Sequence, residues 1–339
     1  MRSLLIGGIA AALLATVGCS EEGTSEVAEV PQDAAAHAEM PMEEAAPEAV
    51  VPEADVAEAE VSEAEAALLE EIEGGNHAYA GRERAILKID DTAYLDEGQM
   101  GWLVRHEDDR VHYLWTLEEP AEFVLSLSYD GETGMLTHGD TNMDMFAYHE
   151  ADNDSYVVND MIQMTAFTTQ MRPGEMGLRA TVYNQNNPAA DHFEGLLWYD
   201  YNLDLVIEAR FEPMDEFVPE TFQTSRGWYK EFQHVGHAVF SLGGEELRMP
   251  LYGFTTDPAE IDGVSAFFTD AMAGVETYGV GRYLDITMEA GSFPPETVTV
   301  DFNYAYNPNC ARSEYYNCPY AEYDIPVAVR AGEMKPADH

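Results

Sequence analysis

Basic side chains are scarce in this chain. Sixteen Lys and Arg stand against 64 Asp and Glu over 339 residues, a formal net charge of -48. A polyanion of that size repels nucleic acid, so a nucleic-acid partner is excluded. Lysine is rarer still, with only Lys88, Lys230 and Lys335. Three cysteines are too few for a disulfide-stapled scaffold. No apolar run reaches the roughly 20 residues that a membrane-spanning helix needs. Core material is not lacking: 46% of the residues are apolar and 11% aromatic, which excludes a wholly disordered chain. An acid-rich, lysine-poor surface keeps its hydration where 1 M salt screens charge to about 3 Å, so salt adaptation is the preferred reading. An acidic, calcium-collecting surface is the alternative.

The first residues have the order of an export signal: Arg2, the apolar run Leu4 to Leu14, then small residues up to Cys19. The ending Thr16-Val-Gly-Cys19 resembles the lipobox of bacterial lipoproteins, although that family more often has Leu where Thr16 stands. The resemblance implies cleavage after residue 18 and a lipid on Cys19, and a plain signal peptide is the alternative. Ser20 occupies the position where an inner-membrane retention signal usually shows Asp, which favours an outer-membrane or cell-surface destination. Residues 20–75 are mostly Ala, Glu, Pro and Val, with eighteen acidic residues and no Lys or Arg. Such a segment cannot build a core and is expected to be a disordered, self-repelling acidic stalk with a reach of about 40 Å. Beyond it, residues 76–339 retain 46 acidic against 15 basic residues.

From His77 the dominant pattern is an alternation of period two. Phe123, Leu125, Leu127 and Tyr129 alternate with Glu122, Ser126 and Ser128, as in a half-buried strand. Further strands are expected at 111–117, 178–183, 203–211, 237–242, 247–252, 298–304 and 325–329, separated by Asp-Gly, Gly-Gly and Pro-containing turns. The fold class read from this is mainly β: an antiparallel sandwich or barrel-like body, built as one domain or as two subdomains dividing near 212–226.

Motifs for familiar chemistry fail on spacing. Asp140-Thr-Asn142-Met-Asp144 begins like a calcium loop, but Met145 and Ala151 stand where the loop needs Gly and Glu. His234 and His237 have helical spacing in a strand-like context, where their rings should point to opposite sides. There is no Gly-x-Ser-x-Gly elbow or phosphate-binding Gly-x-x-x-x-Gly-Lys, and Gly279-Val-Gly281 leads into Arg282 and not into a βαβ helix. No metal and no cofactor is expected.

The C-terminal stretch is richer. If 298–306 is a strand, Asp301 and Asn303 share one face about 7 Å apart. Cys310 and Cys318, eight positions apart, are expected to form a disulfide outside the cytoplasm, stabilising by about 2.5 kcal/mol. A metal pair or a redox dithiol is the alternative. Arg282, Asp301, Asn303, Asn307 and Glu333 are the candidate residues of a polar pocket beside that loop. Against this stands a structural role as turn-capping and ion-pairing groups.

The series Thr277-Tyr-Gly-Val-Gly-Arg-Tyr-Leu-Asp285, Asp301-Phe-Asn-Tyr-Ala-Tyr-Asn-Pro-Asn-Cys310, Cys318-Pro319 and Ile325-Pro-Val-Ala-Val-Arg-Ala-Gly-Glu333 resembles the bacterial family catalogued as domain of unknown function 1684. Fainter similarity runs upstream through Gly177-Leu-Arg179, Phe193-Glu-Gly-Leu196 and Glu208-Ala-Arg-Phe211, covering about 78–334. After the second cysteine the family continues with Leu-Pro-Pro and later Asn-Arg, whereas this chain has Tyr320-Ala-Glu and Tyr323-Asp324. The resemblance implies no established activity. Three functions are therefore expected to compete. The first is a lipid-anchored extracytoplasmic β module binding a ligand or envelope partner. The second is a hydrolase-like enzyme using Asp301 or Glu333 as base with Arg282 on an anion. The third is a structural envelope protein without a pocket.

Overall fold

The computed structural model describes residues 85–337, except 152, 154 and 290, together with the isolated Ala66. The expected signal peptide 1–18, the lipidated Cys19 and the stalk to residue 75 lie outside the described residues, Ala66 apart. The body is mainly β and antiparallel, as the alternation predicts. The first ten strands are β1 (Ile89–Leu95), β2 (Met100–Glu107), β3 (Val111–Thr116), β4 (Leu125–Tyr129), β5 (Gly134–His138), β6 (Thr141–Asp144), β7 (Tyr156–Val157), β8 (Ile162–Arg172), β9 (Glu175–Asn184) and β10 (Val206–Gln223). They are followed by β11 (Tyr229–Leu242), β12 (Glu245–Gly253), β13 (Gly263–Asp270), β14 (Arg282–Thr287), β15 (Thr297–Asp301) and β16 (Tyr323–Ile325). A six-residue helix, α1 (Met145–Glu150), follows β6, with the Asp144 side chain accepting from the Phe146 N–H as its cap.

Three sheets result: β1-β9-β8-β7, β3-β2-β4-β5-β6, and β14-β13-β12-β11-β10-β15, in which β16 lies parallel to β13. The first two sheets enclose a core of Leu95, Leu103, Leu125, Leu127, Leu136, Ile162, Met164, Leu178 and Val182. The third curls around a second core that includes Phe211, Phe240, Met249, Leu251, Phe268, Leu284, Val300 and Phe302. Leu125, Leu127 and Tyr129 are buried as the alternation requires, whereas Phe123 precedes the strand and is exposed. The turn between β11 and β12 pairs Leu242 with Glu245 across Gly243-Gly244, both at positive φ (62° and 88°). Two consecutive left-handed residues match the twist of a tight hairpin, and glycine adopts them without steric cost.

Residues 212–223 lie within β10, paired to β11 with a bulge between Pro213 and Val218. Membership of the two cores changes between Val182 and Leu205. One sequence reading is corrected here: the last long strand stops at Asp301. The Asp301 carboxylate accepts from the Asn303 N–H at 3.0 Å and turns 302–304 into a 3-10 turn. Asp301 and Asn303 are thus joined by a hydrogen bond and not spaced along a pleat.

One strand serves both units. In β8, Ile162, Met164 and Ala166 are buried on one parity, Phe167 and Thr168 are exposed, and Thr169 and Met171 are buried on the other. Its first half faces the N-terminal core. Its second half approaches β11, where Gln170 Oε1 accepts from the Glu231 N–H at 3.0 Å.

Candidate functional site

The five residues expected to line a polar pocket do come together, but as a buried brace. Arg282, at the start of β14, is 1% exposed. Its Nη2 donates to Asp270 Oδ2 (2.8 Å) and the Val329 carbonyl (2.9 Å), and its Nη1 to the carbonyls of Ala331 and Glu333. Both members of the Arg282–Asp270 ion pair are out of contact with solvent. Burial lowers the Arg282 pKa and Asp270 opposes that shift. Glu333 accepts from the Asn307 N–H (2.7 Å) on one carboxylate oxygen and from Arg312 Nη2 (3.1 Å) on the other. Asn307 Nδ2 donates to the Met334 carbonyl, and Asn303 both donates to and accepts from the Asn202 backbone.

Gly332 shows how tightly the last segment is held. At φ +76°, a Cβ there would stand 2.4 Å from the Ala305 carbonyl oxygen and 2.7 Å from that of Phe302. The polar atoms of this cluster therefore fasten the C-terminal segment 329–334 to β13, β14 and the 302–307 turn. Neither of the two clefts described below is lined by these five residues. The cluster braces the fold: the Arg282 charge is held by Asp270 and three backbone carbonyls, while Arg282 Nε and Asn307 Oδ1 are buried without a hydrogen-bond partner.

On the outer face of the third sheet, a second polar cluster escaped the sequence reading. A register shift between His234 and Gly236 puts an extra residue at Val235 in β11. A bulge of this kind reverses strand parity, so His234 and His237 share one face with ring centroids 4.4 Å apart, not the opposite sides that spacing predicts. His234 Nδ1 meets Glu220 Oε1 at 2.7 Å and its Nε2 meets the Gly236 carbonyl at 3.0 Å, two acceptors for one ring. Tyr252 donates to the other Glu220 oxygen at 2.9 Å. Arg248 Nη1 donates to His237 Nε2 at 2.8 Å. Burial, with His234 and Arg248 adjacent, pulls the His237 pKa down to about 4. The cluster pins β10, β11 and β12 where they bend. Among the described residues, no group of three or more His, Cys, Asp or Glu side chains is placed to hold a metal.

Cys310 and Cys318 stand next to each other as free cysteines in this structure. The 3-10 turn Asn309–Ala311 directs the Cys310 N–H onto Cys318 Sγ at 3.3 Å. Around them pack Phe222, Phe232, Phe267 and Tyr283, with the fully buried Lys230 opposite Phe222 in the β10–β11 ladder. Burial pulls the Lys230 amine down to about 7, and the two sulfurs push it back up.

Open space lies where β8 meets β11. A cleft of about 440 Å³ is lined by Thr168, Thr169, Gln170 and Met176 on one side and by Glu231, Phe232, Gln233 and Gly253–Thr256 on the other. Gln233 and Thr256 also line an adjoining cleft of about 610 Å³, which runs along Pro213–Phe217 to Phe293 and Pro294. The two clefts adjoin at these two residues. Neither is lined by a Lys or Arg, while Glu231, Asp215 and Glu216 contribute carboxylates. Phe254 and Met176 stand more than half exposed at the rim of the first.

Both walls of the first cleft are strand edges. The outer side of β8 is paired by β7 only at Gln163 and Met164. Ala166, whose N–H reaches His149 Nε2 at 3.4 Å, has its backbone groups on that outer side. By strand parity so do Thr168 and Gln170. On β11, β12 begins to pair only at Gln233, and the Glu231 N–H facing β8 is taken by Gln170 Oε1. Thr169 Oγ1 is buried without a hydrogen-bond partner beside this space.

Residues 191–334 match the family described as Protein of unknown function (DUF1684). Among solved structures the chain is similar to the solution NMR structure of an uncharacterized protein from gene locus rrnAC0354 of Haloarcula marismortui. The identity is 28% and the TM-score 0.38, over 44% of this chain and 80% of that one. No curated protein matches the chain.

Proposed function

We propose from geometry that the chain, whose residues 191–334 match a family of unknown function, is a lipid-anchored extracytoplasmic β module binding an extended, basic polypeptide segment. The observation that carries this reading is the pair of adjoining clefts, lined by carboxylates and by no Lys or Arg, beside the outer edge of β8, which has no strand partner beyond Met164. Unpaired strand edges present backbone donors and acceptors in the spacing of another extended chain, the basis of recognition by strand addition. Carboxylates at Glu231, Asp215 and Glu216 favour Arg or Lys on that segment, and Phe254 and Met176 offer apolar contacts for alternate side chains. The acidic 20–75 segment is repelled by the same carboxylates and is not the occupant. The leader ending at Cys19 supports the anchored, extracytoplasmic placement.

Fluorescence anisotropy with labelled hexapeptides tests this directly. A peptide alternating Arg with Val is expected to bind at least about tenfold more tightly than one alternating Glu with Val. Thr168→Pro removes one outward N–H from an edge where proline is tolerated. It should weaken the Arg/Val peptide about tenfold, the worth of one backbone hydrogen bond. Equal affinity for both peptides, or indifference to Thr168→Pro, refutes the reading.

A further inference from the structure

Oxidation chemistry has a place in this molecule at a pair of cysteines that do not line the clefts. Cys318 is 8% exposed, Cys310 is partly exposed, and the Cys310 backbone N–H already points at Cys318 Sγ from 3.3 Å. The same turn brings the Cys310 thiol into hydrogen-bond contact with Cys318, and Lys230 lies within electrostatic reach of both sulfurs from its buried position on β11. A backbone N–H thus points at the Cys318 sulfur, with a second cysteine and a buried lysine beside it. We propose that Cys318 is a peroxide-reactive thiolate and Cys310 its resolving cysteine. This assignment does not rest on the clefts.

Electrostatics agree with the geometry. The hydrogen bond from Cys310 holds the Cys318 thiol below its usual range against burial, with Lys230 and the Cys310 N–H helping, while the same bond and burial push Cys310 up. A low-pKa sulfur beside a second thiol is the arrangement that turns a sulfenic acid into a disulfide. Burial selects the oxidant: a hydroperoxide is small enough to reach Cys318, and a protein disulfide is not. In the first step the Cys318 thiolate attacks the distal peroxide oxygen. An S–O bond forms, the O–O bond breaks, and the leaving oxygen takes a proton to depart as water or alcohol. In the second, the Cys310 sulfur attacks Cys318 Sγ, the S–O bond breaks, and hydroxide leaves as water with the Cys310 proton. Two thiols are oxidised and one peroxide is reduced.

The test uses the full reduced chain and hydrogen peroxide. One peroxide should consume two thiols and leave a Cys310–Cys318 bridge seen by mass spectrometry. Cys310→Ser should accumulate a sulfenic acid on Cys318 that a 1,3-dione traps. Lys230→Met should slow Cys318 oxidation about tenfold at pH 7 by removing the cation. Time-resolved peptide mapping of the unsubstituted chain reads the same order of events, independently of whether any variant folds. The assignment is overturned if Cys310 is oxidised first or if both thiols survive peroxide that oxidises free cysteine. It is equally overturned if oxidised glutathione closes the bridge as fast as peroxide does.

Discussion

Alanine in place of Asp270 should cost about 3–5 kcal/mol of unfolding free energy, because it leaves the buried Arg282 guanidinium without its ion-pair partner. Asp270 also accepts from the Met272 N–H at 2.7 Å, so the turn after β13 loosens with it. Asp301→Ala, which removes only the cap of a short 3-10 turn and one contact to Asn303, should cost about 1 kcal/mol. Denaturant midpoints of the two variants read the difference. Equal losses would mean that the Arg282 brace is not what secures the C-terminal segment.

The second large effect concerns Lys230 and carries a sign. Its folded-state pKa is about 7 against an ordinary 10.5, so between those values the unfolded chain binds the extra proton and the folded one does not. Stability therefore rises with pH across this window and is lowest below pH 7, where the folded state must hold a buried ammonium. The expected gain is about 2 kcal/mol between pH 7 and 9, before tyrosines begin to ionise. Lys230→Met should flatten that interval and raise stability at pH 7 by about 4 kcal/mol. Parallel stability curves for the two proteins would contradict this. A residue that destabilises the fold while activating a neighbouring thiol is a familiar exchange of stability for function.

Much of the architecture could be read from residue pattern, and the reasons for the exceptions are physical. Alternation at Leu125–Tyr129 and the Gly243-Gly244 turn are local signals, and both are realised in the fold. β8 shows no single alternation because its two halves bury opposite faces against different units. His234 and His237 defeat parity because Val235 is bulged, which no periodicity announces. Arg282, Asp301, Asn303, Asn307 and Glu333 were visible as a polar concentration near turns. What decides their role, the carbonyls of Val329 and Ala331 and the distant Asp270, is tertiary. The clefts are the extreme case: their walls come from residues 168–176, 213–217, 231–233, 253–258 and 293–294, and each segment alone is an ordinary strand end or turn.

The account places recognition at the open edge of β8 beside the clefts and gives the family-motif residues a bracing role. Amide hydrogen exchange of the whole chain, with and without the Arg/Val hexapeptide, compares the two places in one measurement. Added peptide should slow exchange at residues 165–171 and 229–233 and leave 301–310 and 329–334 as they were. Protection confined to those last two segments, with the β8 edge unchanged, would show that the binding surface has been put in the wrong place.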